Sequence, residues 1–155
     1  MFGMSKTFLQ CRECKKEYDS TFKYICDECF GPLDVHYNFP SITKNIFTNR
    51  EQTYWRYFEL LPIVDKSNIV SINAGMTPLV KAEKLGKKIG LNNLYVKNDS
   101  VNPTFSFKDR PAGVAISKAK EFGLSSVGCA STGNLASATA AHAAKGNFPC
   151  YIFAP

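Results

Sequence analysis

Residues 126–153, SVGCASTGNLASATAAHAAKGNFPCYIF, decide the fold class of this chain of 155 residues. The stretch reads as a short apolar strand over residues 126–130, a helix over Asn134–Lys145 and a second strand over Cys150–Phe153. Six of the ten residues 135–144 are alanine, which allows the helix to lie close to a sheet. A strand, a helix and a strand in this order predict a parallel βαβ unit with a right-handed crossover.

The alternation of strands and helices begins well before this stretch. The expected earlier elements are a helix over residues 82–89 that ends at Gly90, a strand over 94–97 and a helix over 111–122 that ends at Gly123. Together with residues 126–153 they form a βαβαβ run in a parallel sheet. The sequence therefore predicts the α/β class for residues 76–155.

Residues 41–75 are expected to connect this domain to a smaller one. Within them, residues 51–61 predict a helix, because apolar side chains recur at helical spacing before Pro62. A short strand is expected over residues 69–72.

Four cysteines in two pairs organise residues 1–40. They are Cys11, Cys14, Cys26 and Cys29. Two C-x2-C turns separated by eleven residues predict a tetrahedral zinc site of four thiolates, a small zinc ribbon whose folding depends on the metal. The intervening residues 15–25 are expected to form a hairpin, and His36 to be a strand-surface residue rather than a further ligand.

Composition excludes several classes of protein. Hydrophobic residues make up 45% and charged residues 21% of the chain, as in globular proteins, and no apolar run approaches the roughly 20 residues of a membrane span. The first residues do not resemble a signal peptide, so we expect a cytoplasmic protein with reduced cysteines and no membrane partner. Cys129 and Cys150 are predicted to be buried thiols without a catalytic role.

The net charge of +6 invites a nucleic-acid interpretation. Its distribution argues against one, because residues 1–40, which include the candidate ribbon, carry a net charge of −1 and residues 41–155 carry +7. We therefore expect no nucleic-acid partner. A basic site for a small anion stays open.

Two polar turns lie where a parallel α/β sheet binds ligands, at the carboxyl ends of strands and the starts of helices. One is residues 102–110, NPTFSFKDR, and the other is residues 130–134, ASTGN. Lys108 lies at a helix start, where the helix dipole is expected to lower the pKa of its ammonium and favour Schiff-base chemistry. The alternatives are a surface lysine paired with Asp109 and, for the second turn, simple capping of a helix.

The lysine segment combined with the Ser131-Thr132-Gly133-Asn134 turn resembles the pyridoxal-phosphate (PLP) enzymes of fold type II, whose domain is like that of tryptophan synthase β. A wider resemblance, over nearly the whole chain, is to the threonine synthase family. It adds the four-cysteine ribbon, Trp55-Arg56-Tyr57 followed by Leu60-Leu61-Pro62, and residues 75–79, GMTPL.

The resemblance implies a role for each residue of the two turns. Lys108 would bind PLP as a Schiff base and then move protons on the substrate, and Asn134 would hydrogen-bond the 3′ oxygen of the cofactor. Ser131, Thr132 and the backbone of Gly133 would hold the substrate carboxylate. The family is a lyase family of threonine biosynthesis: it converts O-phosphohomoserine and water to threonine and phosphate, with PLP as electron sink.

The sequence departs from the family pattern at two positions and in length. Phe105 and Pro111 stand where glycine is common in relatives, and both lie in a loop or a first helical turn. The glycine-rich loop that cradles the PLP phosphate is missing, since no two glycines lie closer than Gly86 and Gly90. We therefore expect an N-terminal part that is inactive alone, with a missing C-terminal half or a homo-oligomeric partner.

Three alternatives to a threonine synthase stay open from sequence. A cysteate synthase or another fold-type-II enzyme shares these motifs, and would act on O-phosphoserine in the first case. The chain could instead be a non-catalytic zinc-ribbon fragment or interaction protein, an alternative that the missing phosphate loop supports. A nucleic-acid-binding ribbon is the least favoured, because of the negative charge of residues 1–40.

Overall fold

The structure, a computed structural model, describes residues 7–39 and 41–154. Its strands and α-helices follow one another in the order β1 (Thr7–Cys11), β2 (Glu17–Asp19), β3 (Leu33–Tyr37), β4 (Leu79–Lys81), α1 (Glu83–Ile89), β5 (Tyr95–Lys97), α2 (Asp109–Glu121), β6 (Val127–Ala130), α3 (Asn134–Lys145) and β7 (Cys150–Phe153). Short 3-10 helices cover Lys44–Phe47, Tyr54–Leu60, Lys66–Asn68 and Asp99–Val101. Within these described ranges, no helix is both long and apolar enough to cross a membrane.

The cysteine-rich segment forms a three-stranded antiparallel sheet in the order β2-β1-β3. Leu9 in the central strand is buried and faces Tyr18 on one side and Val35 on the other. The hairpin expected within residues 15–25 is wrong in detail. The first cysteine pair lies in the turn that reverses the chain between β1 and β2. An antiparallel bridge between Ile25 and Pro32 joins the two ends of the turn that contains the second pair.

The connecting segment differs from both predictions made for it. The expected helix over residues 51–61 is a 3-10 helix over Tyr54–Leu60, interrupted at Tyr57 (φ −95°, ψ 29°). Tyr54 donates its backbone N–H to the carbonyl of Ala74 (3.4 Å), so packing against that loop, rather than helical spacing, sets the first turn.

The strand expected over residues 69–72 is absent from the described chain. Val70 is buried, and its backbone N–H donates to the Ser117 hydroxyl of α2 (2.8 Å) rather than to another strand. Its apolar side chain therefore reflects packing against a helix.

The remaining elements follow the predicted order, which confirms the α/β class. Helix α3 and strand β7 have the predicted bounds, and α1 ends at Gly90, whose φ of 75° suits glycine. Helix α2 starts two residues earlier than expected, at Asp109.

Strand pairing is the point on which the α/β part departs from expectation. Strands β6 and β7 pair in parallel around α3, as predicted, with Val127 opposite Cys150. Strand β5 pairs antiparallel with β4, a strand that sequence reasoning did not identify. Among the described residues, parallel pairing is therefore confined to β6 and β7.

Two apolar clusters lie on different sides of α2. The first contains Tyr54, Trp55, Ile63 and Ala74, with Val114 packed against it. The second contains Val70, Ile116 and Ala143, with the partly buried side chains of Val127, Phe148 and Cys150 against it. Helix α2 thus joins the connecting segment to α3 and its strands.

The two cysteines outside the ribbon are free thiols, but the prediction that they are buried is wrong. Cys129 and Cys150 are only partly buried. They lie in the two-stranded sheet of β6 and β7, in which Tyr151 and Phe153 are also exposed.

Candidate functional site

Lys108 stands directly before α2, with a helical backbone conformation (φ −63°, ψ −17°). The residue is partly buried, and its backbone N–H donates to the hydroxyl of Ser106 (3.1 Å). Its ammonium nitrogen lies 4.4 Å from the ring centroid of Phe107. The amine is therefore presented at the start of a helix of 13 residues, as the sequence predicted.

The pairing of Lys108 with Asp109, the alternative considered from sequence, gains no support. Asp109 is fully buried, and its carboxylate accepts hydrogen bonds from Thr104, through the backbone N–H (2.8 Å) and the hydroxyl (2.7 Å). These two bonds close a turn over residues 104–109. The turn fixes the backbone on both sides of Lys108.

A second group of polar side chains ties this segment to residues 75–77. Arg110 donates to both carboxylate oxygens of Asp99 (2.6 and 2.8 Å) and to the carbonyl of Gly75 (2.8 Å). The hydrogen bonds from Arg110, followed by that from Thr77, lower the pKa of Asp99 to about 2. Buried Asn102 accepts the N–H of Gly75 (3.0 Å).

Sequence reasoning placed Asn102 and Arg110 in a polar turn but did not identify these supporting contacts. The bonds of Arg110 with Asp99 and Gly75, and of Asn102 with Gly75, span 11 to 35 positions of the chain, so local spacing carries no sign of them. The available signal was their density: Asp99, Asn102, Asp109 and Arg110 occur within twelve residues, all between a strand and a helix.

The turn over residues 131–134 forms the exposed start of α3. The helix has Gly133 at its cap position, and no side chain caps it. Capping therefore does not explain Ser131, Thr132 and Asn134; instead, Ser131 accepts the N–H of Gly133 (3.3 Å). A Cβ atom built on Gly133 would meet nothing within 4 Å, so a ligand has open access to this backbone. The first N–H groups of a helix lack intrahelical partners and suit an anion.

The packing of α2 on α3 indicates that Lys108 and the 131–134 turn lie at the same end of the helix pair. Gly113 lies against His142, and Ile116 lies against Gly146. Both contacts have an offset of about 30 residues and ascend together, so the helices run in the same general direction. Lys108 directly precedes α2 and the 131–134 turn forms the start of α3, so both lie at the N-terminal end of this helix pair.

Two cavities lie elsewhere in the described chain. The larger, of about 820 Å³, separates the ribbon from α2 and the Tyr54 segment. The smaller, of about 470 Å³, lies between α2, β6 and α3. Neither is lined by Lys108 or by the 131–134 turn. The candidate site thus lies outside both cavities, with residues 132–134 exposed at the start of α3.

The four ribbon cysteines come together as predicted. Their sulfur atoms all lie within 4.8 Å of one another, with Cys11 and Cys29 at 3.4 Å and Cys14 and Cys26 at 3.6 Å. A zinc ion with four sulfurs at about 2.3 Å requires sulfur separations of about 3.8 Å. The cluster therefore fits a tetrahedral ion.

Groups around the Cys26 sulfur favour its thiolate. The Tyr18 hydroxyl lies 3.0 Å from the Cys26 sulfur, and this hydrogen bond lowers the pKa of the Cys26 thiol to about 6. The backbone N–H of Glu28 also donates to this sulfur (3.4 Å). His36 does not belong to the cluster; it lies in β3 and stacks on Phe8 (centroids 5.4 Å apart), as expected for a strand-surface residue.

Comparison with known proteins identifies the family. A sequence profile of the family described as pyridoxal-phosphate dependent enzyme matches residues 70–155, more than half of the chain. The chain belongs to this family. The PLP interpretation of the sequence is thereby confirmed.

This chain of a pyridoxal-phosphate dependent enzyme is similar to curated threonine synthases. It is 42% identical to the one from Methanocaldococcus jannaschii over 151 residues, which cover 94% of this chain and 37% of that protein. It is 41% identical to the one from Methanosarcina acetivorans over 150 residues, which cover 95% of this chain and 36% of that protein. It is 44% identical to the one from Synechocystis over 105 residues, which cover 67% of this chain and 27% of that protein. The chain thus spans little more than a third of the length of the relatives it matches most fully.

The residues of the candidate site fit PLP. An amine at a helix start, an exposed amide side chain at Asn134 and open backbone at Gly133 are the kinds of group that bind an aldehyde, a ring oxygen and a carboxylate. The described residues show no cluster of glycine amides for the cofactor's phosphate, consistent with the glycine spacing in the sequence.

Proposed function

We propose that this chain supplies the lysine-bearing part of a threonine synthase. The enzyme would convert O-phosphohomoserine and water to threonine and phosphate. The observation that carries the proposal is the common end of α2 and α3, where Lys108 and the uncapped 131–134 turn lie. The similarity to threonine synthases along 94% of the chain supports this choice within the family.

We assign each site residue a task that its position allows. Lys108 would hold PLP covalently and then carry a proton to and from the substrate, from its place directly before α2. Asn134 would donate its amide N–H to the 3′ oxygen of PLP and fix the tilt of the ring. When bound, PLP supplies the electron sink for carbanions next to the amino-bearing carbon.

The carboxylate of the substrate would bind at the start of α3. Ser131 and Thr132 offer hydroxyl groups there, and the backbone around Gly133 offers N–H groups without a side chain in the way. The positive end of the helix dipole favours the anion. The task of cradling the phosphate of PLP falls to a loop that these 155 residues do not contain.

We further propose that residues 1–40 form a structural zinc ribbon, 41–75 a connecting segment and 76–155 the α/β part that binds PLP. The small sheet of the ribbon has few buried apolar side chains, so the metal would supply much of its stability. Native mass spectrometry of protein purified without added metal should show one zinc per chain. Four freely titratable ribbon thiols and no zinc would overturn this part of the proposal.

A chimera tests the proposed activity. The aligned segment of the Methanocaldococcus jannaschii threonine synthase is replaced by this chain, so that the remaining two thirds of that enzyme is supplied. We expect threonine and phosphate to form from O-phosphohomoserine, and Lys108→Ala to lower the rate by about 10³-fold or more. Lys84→Ala, an exposed lysine of α1, is the matched control and should leave the rate unchanged.

The same chimera distinguishes the alternatives. Faster turnover of O-phosphoserine with sulfite than of O-phosphohomoserine would favour a cysteate synthase. A folded chimera that holds zinc but neither binds PLP nor turns over either substrate would favour a non-catalytic fragment.

A further inference from the structure

Three polar side chains are buried together beneath the start of α2. Asp109 of α2 and His142 of α3 have no exposed surface, and Tyr54 of the connecting segment is 8% exposed. Tyr54 and His142 lie against Gly113, and Asp109 lies 4.0 Å from His142. Because buried polar groups cost free energy unless they are hydrogen-bonded, the partners of each atom are informative.

The hydrogen bonds of His142 determine which ring nitrogen carries the proton. Its Nδ1 lies 2.9 Å from the carbonyl oxygen of Ala138 and 4.0 Å from a carboxylate oxygen of Asp109. The carbonyl oxygen can only accept, so Nδ1 carries the hydrogen and donates it to Ala138. In the neutral ring Nε2 is then an acceptor. It is buried and has no partner among the described residues.

The hydroxyl of Tyr54 is the complementary group. It too is buried without a partner in the described part of the chain, and burial together with the charge of Asp109 raises the pKa of Tyr54, so it stays a donor. A Cβ atom built on Gly113 would lie 2.2 Å from this oxygen and 2.8 Å from Nε2 of His142. The two atoms are therefore no more than about 5 Å apart, within reach of one bridging water.

We propose that the Tyr54 hydroxyl donates a hydrogen bond to Nε2 of His142, directly or through one water that bridges the two atoms next to Gly113, and that this pair positions the turn carrying Lys108. The pair joins the connecting segment to α3 across α2. It holds the His142 ring against Asp109, whose carboxylate closes the 104–109 turn. The positioning role rests on the proposed function of Lys108, whereas the hydrogen bond does not.

The hydrogen bond is tested in the 155-residue chain by NMR and by a double-mutant cycle. ¹⁵N spectra should show His142 protonated at Nδ1, with an Nε2 signal that shifts in Tyr54→Phe and not in Tyr57→Phe, whose tyrosine lies on the exposed side of the same segment. Tyr54→Phe should lower the folding equilibrium constant about fivefold. In a His142→Asn background, which keeps a donor for Ala138, the loss should be less than about twofold.

The positioning role is tested by trace acetylation of the amines, which needs no cofactor. Tyr54→Phe should change the labelling rate of Lys108 relative to Lys84 by about threefold or more, and Tyr57→Phe should not. Coupling in the cycle with unchanged Lys108 labelling would overturn the positioning role. An unshifted Nε2 signal and additive variants would overturn the hydrogen bond. Failure of the proposed function would show separately, as full turnover by the Lys108→Ala chimera.

Discussion

The backbone of Phe105 lies in the left-handed region, with φ of 61°, three residues before Lys108. Its side chain is 79% exposed, so little packing offsets the cost of this conformation, which is about 1–2 kcal/mol for residues other than glycine. The resemblance to the threonine synthase family implies glycine at this position in many relatives, and the positive φ gives a physical reason for it. Phe105 is thus a strained residue beside the candidate site.

Phe105→Gly is expected to raise the free energy of unfolding by about 1 kcal/mol. The relief of strain exceeds the greater flexibility of glycine in the unfolded chain, which offsets about 0.5–1 kcal/mol. Urea unfolding followed by the fluorescence of Trp55 measures it. Phe107→Gly is the matched control, since Phe107 is also exposed and does not have a positive φ; it should give no gain. A less stable Phe105→Gly chain would contradict the argument.

Asp99 should make stability depend on acid pH. Its carboxylate, held by Arg110, has a pKa of about 2 in the folded chain against the usual 3.8. A lowered carboxylate pKa stabilises the fold above the unfolded pKa, and this contribution is lost as the pH falls from about 4 through 2. We expect Asp99→Asn to reduce the difference in the free energy of unfolding between pH 4 and pH 2 by about 1–2 kcal/mol.

The measurement compares the free energy of unfolding of the variants at pH 4 and pH 2. Any loss of zinc at acid pH affects all variants alike and cancels in the difference. Asp19→Asn, at an exposed carboxylate of β2, serves as the control. An Asp99→Asn chain with the same slope as the parent would show that the ion pair is not formed in solution.

At the scale of residues, the sequence predicted what local spacing can encode. The two C-x2-C pairs predicted the cluster of four sulfurs, because each turn brings two cysteines to the same point. Lys108 and the 131–134 turn follow from their places between strands and helices. Asp99 and Arg110 could not be paired in this way, because their contact exists only once β5 and α2 have folded together.

At the scale of elements, Gly113 is required by what surrounds α2. A glycine inside a helix normally costs about 1 kcal/mol relative to alanine, so Gly→Ala usually stabilises. Here the added methyl group would lie 2.2 Å from the hydroxyl of Tyr54. We expect Gly113→Ala to destabilise the chain by about 1–3 kcal/mol instead.

A second variant identifies the clash as the cause. In a Tyr54→Phe background the nearest atom is removed, so the cost of Gly113→Ala should fall by at least about half. Thermal unfolding of the four chains gives both values. If Gly113→Ala stabilises in either background, the helices do not approach as closely as described.

Elements whose pattern agrees with their packing were predicted best. The alanine-rich α3 has its predicted bounds because its short side chains, such as Ala138 and Ala143, both favour a helix and allow close packing. Residues 51–61 have a helical pattern, but contacts of Tyr54 and Trp55 with Ala74 and Ile63 override it. Val70 has the pattern of a strand and is buried against helices instead.

At the scale of the whole molecule, the open site should bind PLP weakly in this chain alone. Affinity for PLP comes largely from its phosphate, and the 155 residues contain no glycine-rich loop for it. After incubation with PLP and borohydride, we expect label spread over exposed lysines rather than confined to Lys108. These are Lys81, Lys84, Lys87 and Lys88.

Peptide mapping of the reduced adduct measures the distribution. In the chimera with the M. jannaschii enzyme, the label should move to Lys108, which makes that protein the matched comparison. Stoichiometric label on Lys108 in the chain alone would show that the phosphate contributes little to the affinity for PLP.

The position of α2 between two apolar clusters has a consequence for how the molecule opens. Val114 contacts one cluster and Ile116 the other, so no fluctuation can expose the middle of this helix without loosening both. Its central amides should exchange with deuterium only through global unfolding, whereas those of α1, whose only buried residue is Gly86, should exchange through local fraying. The start of α2 would then keep Lys108 in a fixed orientation even while α1 frays.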